Sequence, residues 1–308
     1  MSDLRSALRD YLIVRRALGY KLKETERMLA QFVSYCEQSG IPTITTAAAV
    51  AWAALPAGAD PIWQAQRLSK VRCFATWLQT LDPAAEVPPA GIIAGRPRRA
   101  VPYLYTSAEV TAIMAAAGGL RHPLHRRTFP ALIGLVAVTG LRIGEAIRLR
   151  RDEVLLDSGL IRVIGAKFGK SREVPLHPTT VEALRRYADD RDRLCPRPVS
   201  ESFFLSTAGT TLTYSAVRAT FQRLTREAGL RPRDGRCRPR IHDLRHSLAC
   251  EILIGWYRDG SDVQARLPLL STWLGHVKPE CTYWYLSAVP ELMGLASRRL
   301  EDTFEGGR

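Results

Sequence analysis

At 308 residues and 46% hydrophobic content, the chain is long enough for two domains with buried cores and needs no covalent staples. Lys and Arg outnumber Asp and Glu by 44 to 30, giving a net charge of +14 and pointing to a polyanionic partner. No apolar run reaches the roughly 18 residues of a membrane span, the start "MSDLRSALRDYL" carries no export signal, and scattered cysteines without a C-x-x-C pair argue against a zinc knuckle or a disulfide framework.

In chain order, the first hundred residues read as helices. Apolar residues recur at three and four over Leu4, Leu8, Tyr11 and Leu12, and again over Leu22, Met28, Leu29, Phe32, Val33 and Cys36, with "ALGYK" as the turn between. "SGIP" from Ser39 stops the second helix, and an Ala-rich helix follows near Thr46 to Leu55. Asp60 caps a fourth helix with Pro61 in its first position. Residues 1–82 are therefore expected to form a helical domain. Residues 83–102, rich in Pro, Gly and Arg and including "RPRR", are expected to run as an extended basic linker.

Beyond the linker, "TSAEVTAIMAAA" predicts a helix capped at Thr106 or Ser107 with Glu109 in its first turn. A second helix is expected from about Arg127 to Val138, Pro123 being read as disruptive, and Gly140 breaks it before "LRIGEAIRLR" resumes. Two alternating runs, Leu160 to Ile164 and Arg172 to Leu176, predict strands joined by a tip carrying Lys167 and Lys170. Helices return from Pro178. The fold class is mainly α with a small antiparallel β-sheet, the second domain spanning 103–308.

Four features of this second domain carry polar chemistry. "TGLRIGE" places Arg142 after a glycine break, with Glu145 three residues on. The hairpin tip brings Lys167 or Lys170, "HDLRH" brings His242 and Arg245, and "LGH" ends a helix at His276. "YWY" then offers Tyr283 and Tyr285. Singly these residues read as well as caps, ion pairs or hairpin solvation. Together they suit a phosphodiester: guanidiniums clamp its oxygens, a tyrosine hydroxyl attacks phosphorus, and histidines and a lysine move protons. His122 and His125 lack further ligands nearby, so no metal or cofactor is expected.

The stretches "TGLRIGE", "GAKFGKSREVPLH", "HDLRHS" and "LGHVKPECTYWY", in that order, resemble the tyrosine recombinase (phage integrase) family over roughly residues 103–290. The resemblance implies a two-domain DNA clamp: a helical, SAM-like core-binding domain (1–82) and a catalytic domain. It implies a site-specific recombinase that forms a 3' phosphotyrosyl intermediate and moves a mobile element. The rivals are type IB topoisomerase-like relaxation and a non-catalytic DNA-binding accessory. Arg142 and Arg245 match the phosphate-clamping arginines, Lys167 the lysine that protonates the leaving 5' oxygen, with Lys170 its competitor. His242 matches the general acid/base, His276 the second histidine, and Glu145 a supporting position. The implied partners are double-stranded DNA, further copies of the chain (dimer to tetramer) and related recombinases of the same element, with no membrane. The implied place is the bacterial cytoplasm, at the nucleoid. An enlarged loop is expected around Arg258 to Pro268, and an amphipathic C-terminal helix docks on its own domain or on a neighbour.

On a continuous helix His276 and Tyr285 would lie about 180° apart, so the break at Pro279 is needed to let them share a site. Tyr283 and Tyr285 then point about 200° apart, and only one can face the basic cluster. The family interval from "LGH" selects Tyr285.

Overall fold

The computed structural model describes residues 3–55, 57–95, 101–165, 171–233, 237–276, 282–285 and 290–305, with side chains in the last stretch for 291–298. The chain divides into two units, Met1–Arg99 and Ala100–Arg308.

In the first unit the helices are α1 (Leu4–Ala17), α2 (Lys23–Gln38), α3 (Thr46–Ala54) and α4 (Pro61–Leu78). Side chains set three of their starts: Asp3, Thr45 and Asp60 accept from backbone N–H groups that no helical carbonyl can reach. The apolar stripe of α1 (Leu4, Leu8, Tyr11, Leu12) is buried against Phe32, Val33, Phe74 and Leu78 of the same core. Each such side chain contributes about 1.5–3 kcal/mol. Arg67 is buried here too: its guanidinium lies 3.7 Å from the Trp52 ring centroid and donates to the Trp52 carbonyl at 2.7 Å.

Residues 83–95, expected to begin an extended linker, lie against this unit instead. Ala85 is buried, the Glu86 N–H donates to the Ile44 carbonyl at 2.8 Å, and Arg72 donates to the carbonyls of Pro88 and Pro89 at 2.7 and 3.0 Å. Prolines offer acceptors without donors, so a side chain can tie down a segment that has no period of its own. The "RPRR" run falls outside the described residues.

The second unit is built on α6 (Pro123–Thr139), with α5 (Ser107–Ala116), α8 (Pro178–Leu194) and α10 (Asp243–Arg258) packed around it. Pro123 does not disrupt α6. It is the first residue of the helix, where its missing N–H costs nothing, and His122 Nδ1 caps the Leu124 N–H. After Gly140 only one turn, α7 (Ile143–Ala146), resumes. A three-stranded antiparallel sheet follows: β1 (Val154–Leu155), β2 (Leu160–Val163) and β3 (Arg172–Pro175), in the order β1-β2-β3. Ile161 pairs with Val174 and Val163 with Arg172, and Ile161, Val163 and Val174 face the core. The strand Val154–Leu155 is one more than the sequence pattern predicts.

Helix α9 (Tyr214–Glu227) closes that core through Val217, Phe221 and Leu224. A second cluster joins α10, α11 (Val263–Leu274), the helical residues 282–285 and the C-terminal helix Pro290–Glu305. The expected long loop at 258–268 is absent: four residues, 259–262, separate α10 from α11, and Pro268 lies inside α11. Pro268 sits on the exposed face, where water can satisfy the carbonyl that its missing N–H releases. The C-terminal helix packs on α10 of its own chain, with Leu292 buried and Glu291 paired to Arg258 at 2.6 Å. Among the described residues no helix is long and apolar enough to cross a membrane.

Candidate active site

Helix α6 ends at Gly140 and α11 at Gly275, both in the left-handed region at φ 65° and 66°. At each glycine a side chain would also force a neighbour to shift. A Cβ at Gly140 would meet Leu274 Cδ2 at 2.8 Å, and one at Gly275 would meet Arg172 Nη1 at 2.7 Å. The two helix ends are stitched together by Trp273 Nε1, which donates to the Thr139 carbonyl at 2.8 Å.

Three arginines from three elements converge on the last turn of α11, taking successive carbonyls. Arg172 Nε donates to Trp273 at 3.0 Å, Arg245 Nη2 to Leu274 at 2.7 Å and Arg142 Nη2 to Gly275 at 2.8 Å. Free carbonyls at a helix C-terminus form its negative pole and attract cations. Arg245 Nη1 also donates to the Gly140 carbonyl at 2.6 Å, so this one side chain, 1% exposed, spans both helix ends. Burial and the like charge of Arg142 lower the Arg245 pKa to about 10, which leaves it cationic at neutral pH.

Glu145 answers two of the three arginines. Its carboxylate, 4% exposed, accepts from Arg142 Nη1 and Arg172 Nη2, each at 2.8 Å. Burial opposes its ionisation, but the hydrogen bonds and charges of Arg172 and Arg142 outweigh that and hold it below the usual carboxylate range. The cluster of three guanidiniums and one carboxylate therefore remains net positive, suited to an anion with several oxygens.

Three histidines border this charge. His242 stands at the start of α10, open to solvent on one side; desolvation on the other, with Arg245 and Arg142 close by, lowers its pKa to about 4. Burial and the same positive neighbourhood lower His246 and His276 to about 3. All three are neutral at pH 7. His276 Nδ1 lies 2.7 Å from Thr282 Oγ1, which lies 2.6 Å from Ser271 Oγ. If the hydroxyls donate in that order, Nδ1 is an acceptor and Nε2–H is left as the donor.

Tyr285 is 1% exposed, its ring 6.3 Å from that of His276 and nearly parallel to it, whereas Tyr283 is 45% exposed. Burial raises the pKa of the Tyr285 phenol, a shift that the positive charge of Arg245 partly offsets. The structure thus gathers Arg142, Arg245, His242, His276 and Tyr285 around one basic centre. Lys167 and Lys170 lie outside the described residues. Two participants were not singled out from the sequence, Arg172 and His246. Arg172 is in register with Val174 on the inward face of β3, where a charge is unusual. His246 lies four residues after His242 on the same helix face, and its ring packs 4.8 Å from that histidine's.

The sequence model of the phage integrase family matches residues 104–291. Over 311 residues the chain is 41% identical to y4rB of Sinorhizobium fredii, a protein assigned as an integrase/recombinase, covering 99% of both chains. It is 32% identical over 196 residues to the tyrosine recombinase XerD of Ralstonia nicotianae, covering 62% of this chain and 58% of that one. Among solved structures, the Tn1549 transposon integrase in complex with transposon right end DNA shares the fold, with a TM-score of 0.66 at 16% identity and coverage of 96% and 98%.

Proposed function

Since the chain belongs to the phage integrase family and is a tyrosine-type site-specific recombinase, we propose that Tyr285 is its nucleophile and that Arg142, Arg245, His242, His276 and Lys167 serve the phosphate under attack. The observation that carries the reading is the placement of one buried tyrosine hydroxyl beside a net-positive cluster whose arginines are anchored to backbone carbonyls of the protein itself.

Tyr285 Oη forms the new bond to phosphorus and the bond to the 5' oxygen breaks, leaving a 3' phosphotyrosyl link. Arg142 and Arg245 retain N–H groups beyond those bound to carbonyls and offset the charge that grows on the non-bridging oxygens. His276 donates from Nε2 to the same phosphate, and the leaving oxygen takes a proton from Lys167 with His242 as acid/base partner. A 5' hydroxyl from another strand then reverses the step. Bond energy is conserved throughout, so no nucleotide cofactor is needed.

The reading extends to partners and organisation. Double-stranded DNA is bound by an oligomer, from dimer to tetramer, alongside related recombinases of the same mobile element in the bacterial cytoplasm, at the nucleoid. Residues 1–82 supply the core-binding domain, 83–102 the connection and 103–308 the catalytic domain. The test is a nicked suicide substrate carrying the element's end. Wild type and Tyr283→Phe should form a covalent protein–DNA adduct, and Tyr285→Phe none; the reverse pattern would move the chemistry to Tyr283. Relaxation of plasmid lacking any element end would favour a topoisomerase instead.

A further inference from the structure

One imidazole beside the nucleophile has no task in that scheme. His246 Nδ1 lies 3.0 Å from Tyr285 Oη, within hydrogen-bond distance. The ring is held on three sides, with centroids 4.8 Å from His242, 5.4 Å from Trp284 and 5.4 Å from Tyr285. It cannot turn away without disturbing the wall of the site.

A phenol with an ordinary pKa of about 10 must lose its proton to attack phosphorus, and burial of Tyr285 makes that harder. Arg245 faces the same oxygen but brings only donors. His276 Nδ1 is engaged by Thr282, and the Glu145 oxygens by Arg142 and Arg172. Among the described residues, His246 is the side chain that meets Oη with a nitrogen that accepts when the ring carries its proton on Nε2.

We propose that His246 is the proton acceptor for Tyr285. As Oη bonds to phosphorus and the 5' oxygen departs with a proton from its own acid, the phenolic proton passes from Oη to His246 Nδ1. On rejoining, it returns from Nδ1 to the departing phenol oxygen. The inference rests on Tyr285 being the nucleophile.

The surroundings favour this role in two stages. Burial and the groups that face the ring (His242, Arg245, Arg240 and His276) keep it neutral, so its lone pair is available at neutral pH. A bound phosphodiester brings negative charge to the same cations, which raises the basicity of the ring only when substrate is in place. Water alone does not supply that change.

The experiment measures single-turnover adduct formation on the suicide substrate in six proteins: His246, His246→Phe and His246→Gln, each carrying either tyrosine or a difluorinated, more acidic tyrosine at 285. Both substitutions should slow cleavage by about 10²-fold or more with ordinary tyrosine, the usual scale of a positioned base. DNA binding by gel shift should be unchanged. With the fluorinated tyrosine, whose proton leaves readily, the loss should shrink to less than about tenfold. An equal loss with both tyrosines, or near-normal cleavage in His246→Gln, which keeps a hydrogen-bonding side chain but no base, would overturn the proposal. An adduct in Tyr285→Phe would instead overturn the nucleophile assignment on which it rests.

Discussion

Glu145 meets Arg142 and Arg172 at 2.8 Å each from inside the protein, so removing its charge strands two guanidiniums in a desolvated site. Glu145→Gln should cost about 3 kcal/mol at pH 7, measured by urea unfolding. Its depressed pKa means that its stabilisation is present above the unfolded carboxylate range near pH 4 and is lost as pH falls through the lower folded value. The histidines act in a different window. His242, His246 and His276 are depressed to about 4, 3 and 3, so the unfolded chain takes up protons first as pH drops below about 6.5. Stability should therefore decline from there downward in wild type and in Glu145→Gln alike, and below about pH 4 the decline should be steeper in wild type, which also loses the contribution of Glu145. At this scale the sequence shows which residue types are present and in what order, enough to bring Arg142, Arg245 and Tyr285 forward. It does not show that Arg172 turns inward or that His246 reaches a phenol, because those depend on contacts across 27 and 39 positions.

Elements were more legible than contacts. Asp60 with Pro61, and Thr106 with Glu109, are local signals, and both start helices where the pattern places them. Proline was the misleading letter. Pro123 read as punctuation yet opens α6, and Pro268, at the edge of an expected loop, sits on the wet face of α11; nothing in a linear pattern says which face will be wet. Glycine carries the opposite lesson, since its requirement at 275 comes from a neighbour far away in sequence. Gly275→Ala combines a strained φ of 66° with a Cβ 2.7 Å from Arg172 Nη1. The variant should lose about 2 kcal/mol of stability and at least tenfold in adduct formation, because Arg172 must move and Glu145 with it. Normal cleavage by this variant would show that the position of Arg172 does not matter to the chemistry.

For the molecule as a whole, the excess of 44 basic over 30 acidic residues sets the strength of binding more than its specificity. With six to ten phosphates neutralised, affinity should fall by about 10³–10⁵ between roughly 50 and 200 mM salt. Fluorescence anisotropy on a duplex measures this, and a flat salt response would contradict a phosphate-dominated interface. The division into a helical first unit and a larger second one was visible from composition, since Pro and Arg crowd together before residue 100. The packing of residues 83–95 back onto the first unit was not, because it depends on carbonyls that accept from Arg72.

The three arginines that share the end of α11 have a common fate. Their carbonyl partners belong to residues 273, 274 and 275, a single helical turn. Fraying of that turn would take one anchor from each of the three at once, leaving Arg245 held by Gly140 and Arg142 and Arg172 by Glu145, so the charge array would loosen as a unit. Heat or denaturant should then abolish strand cleavage as the helix end opens, while the rest of the second unit is still folded.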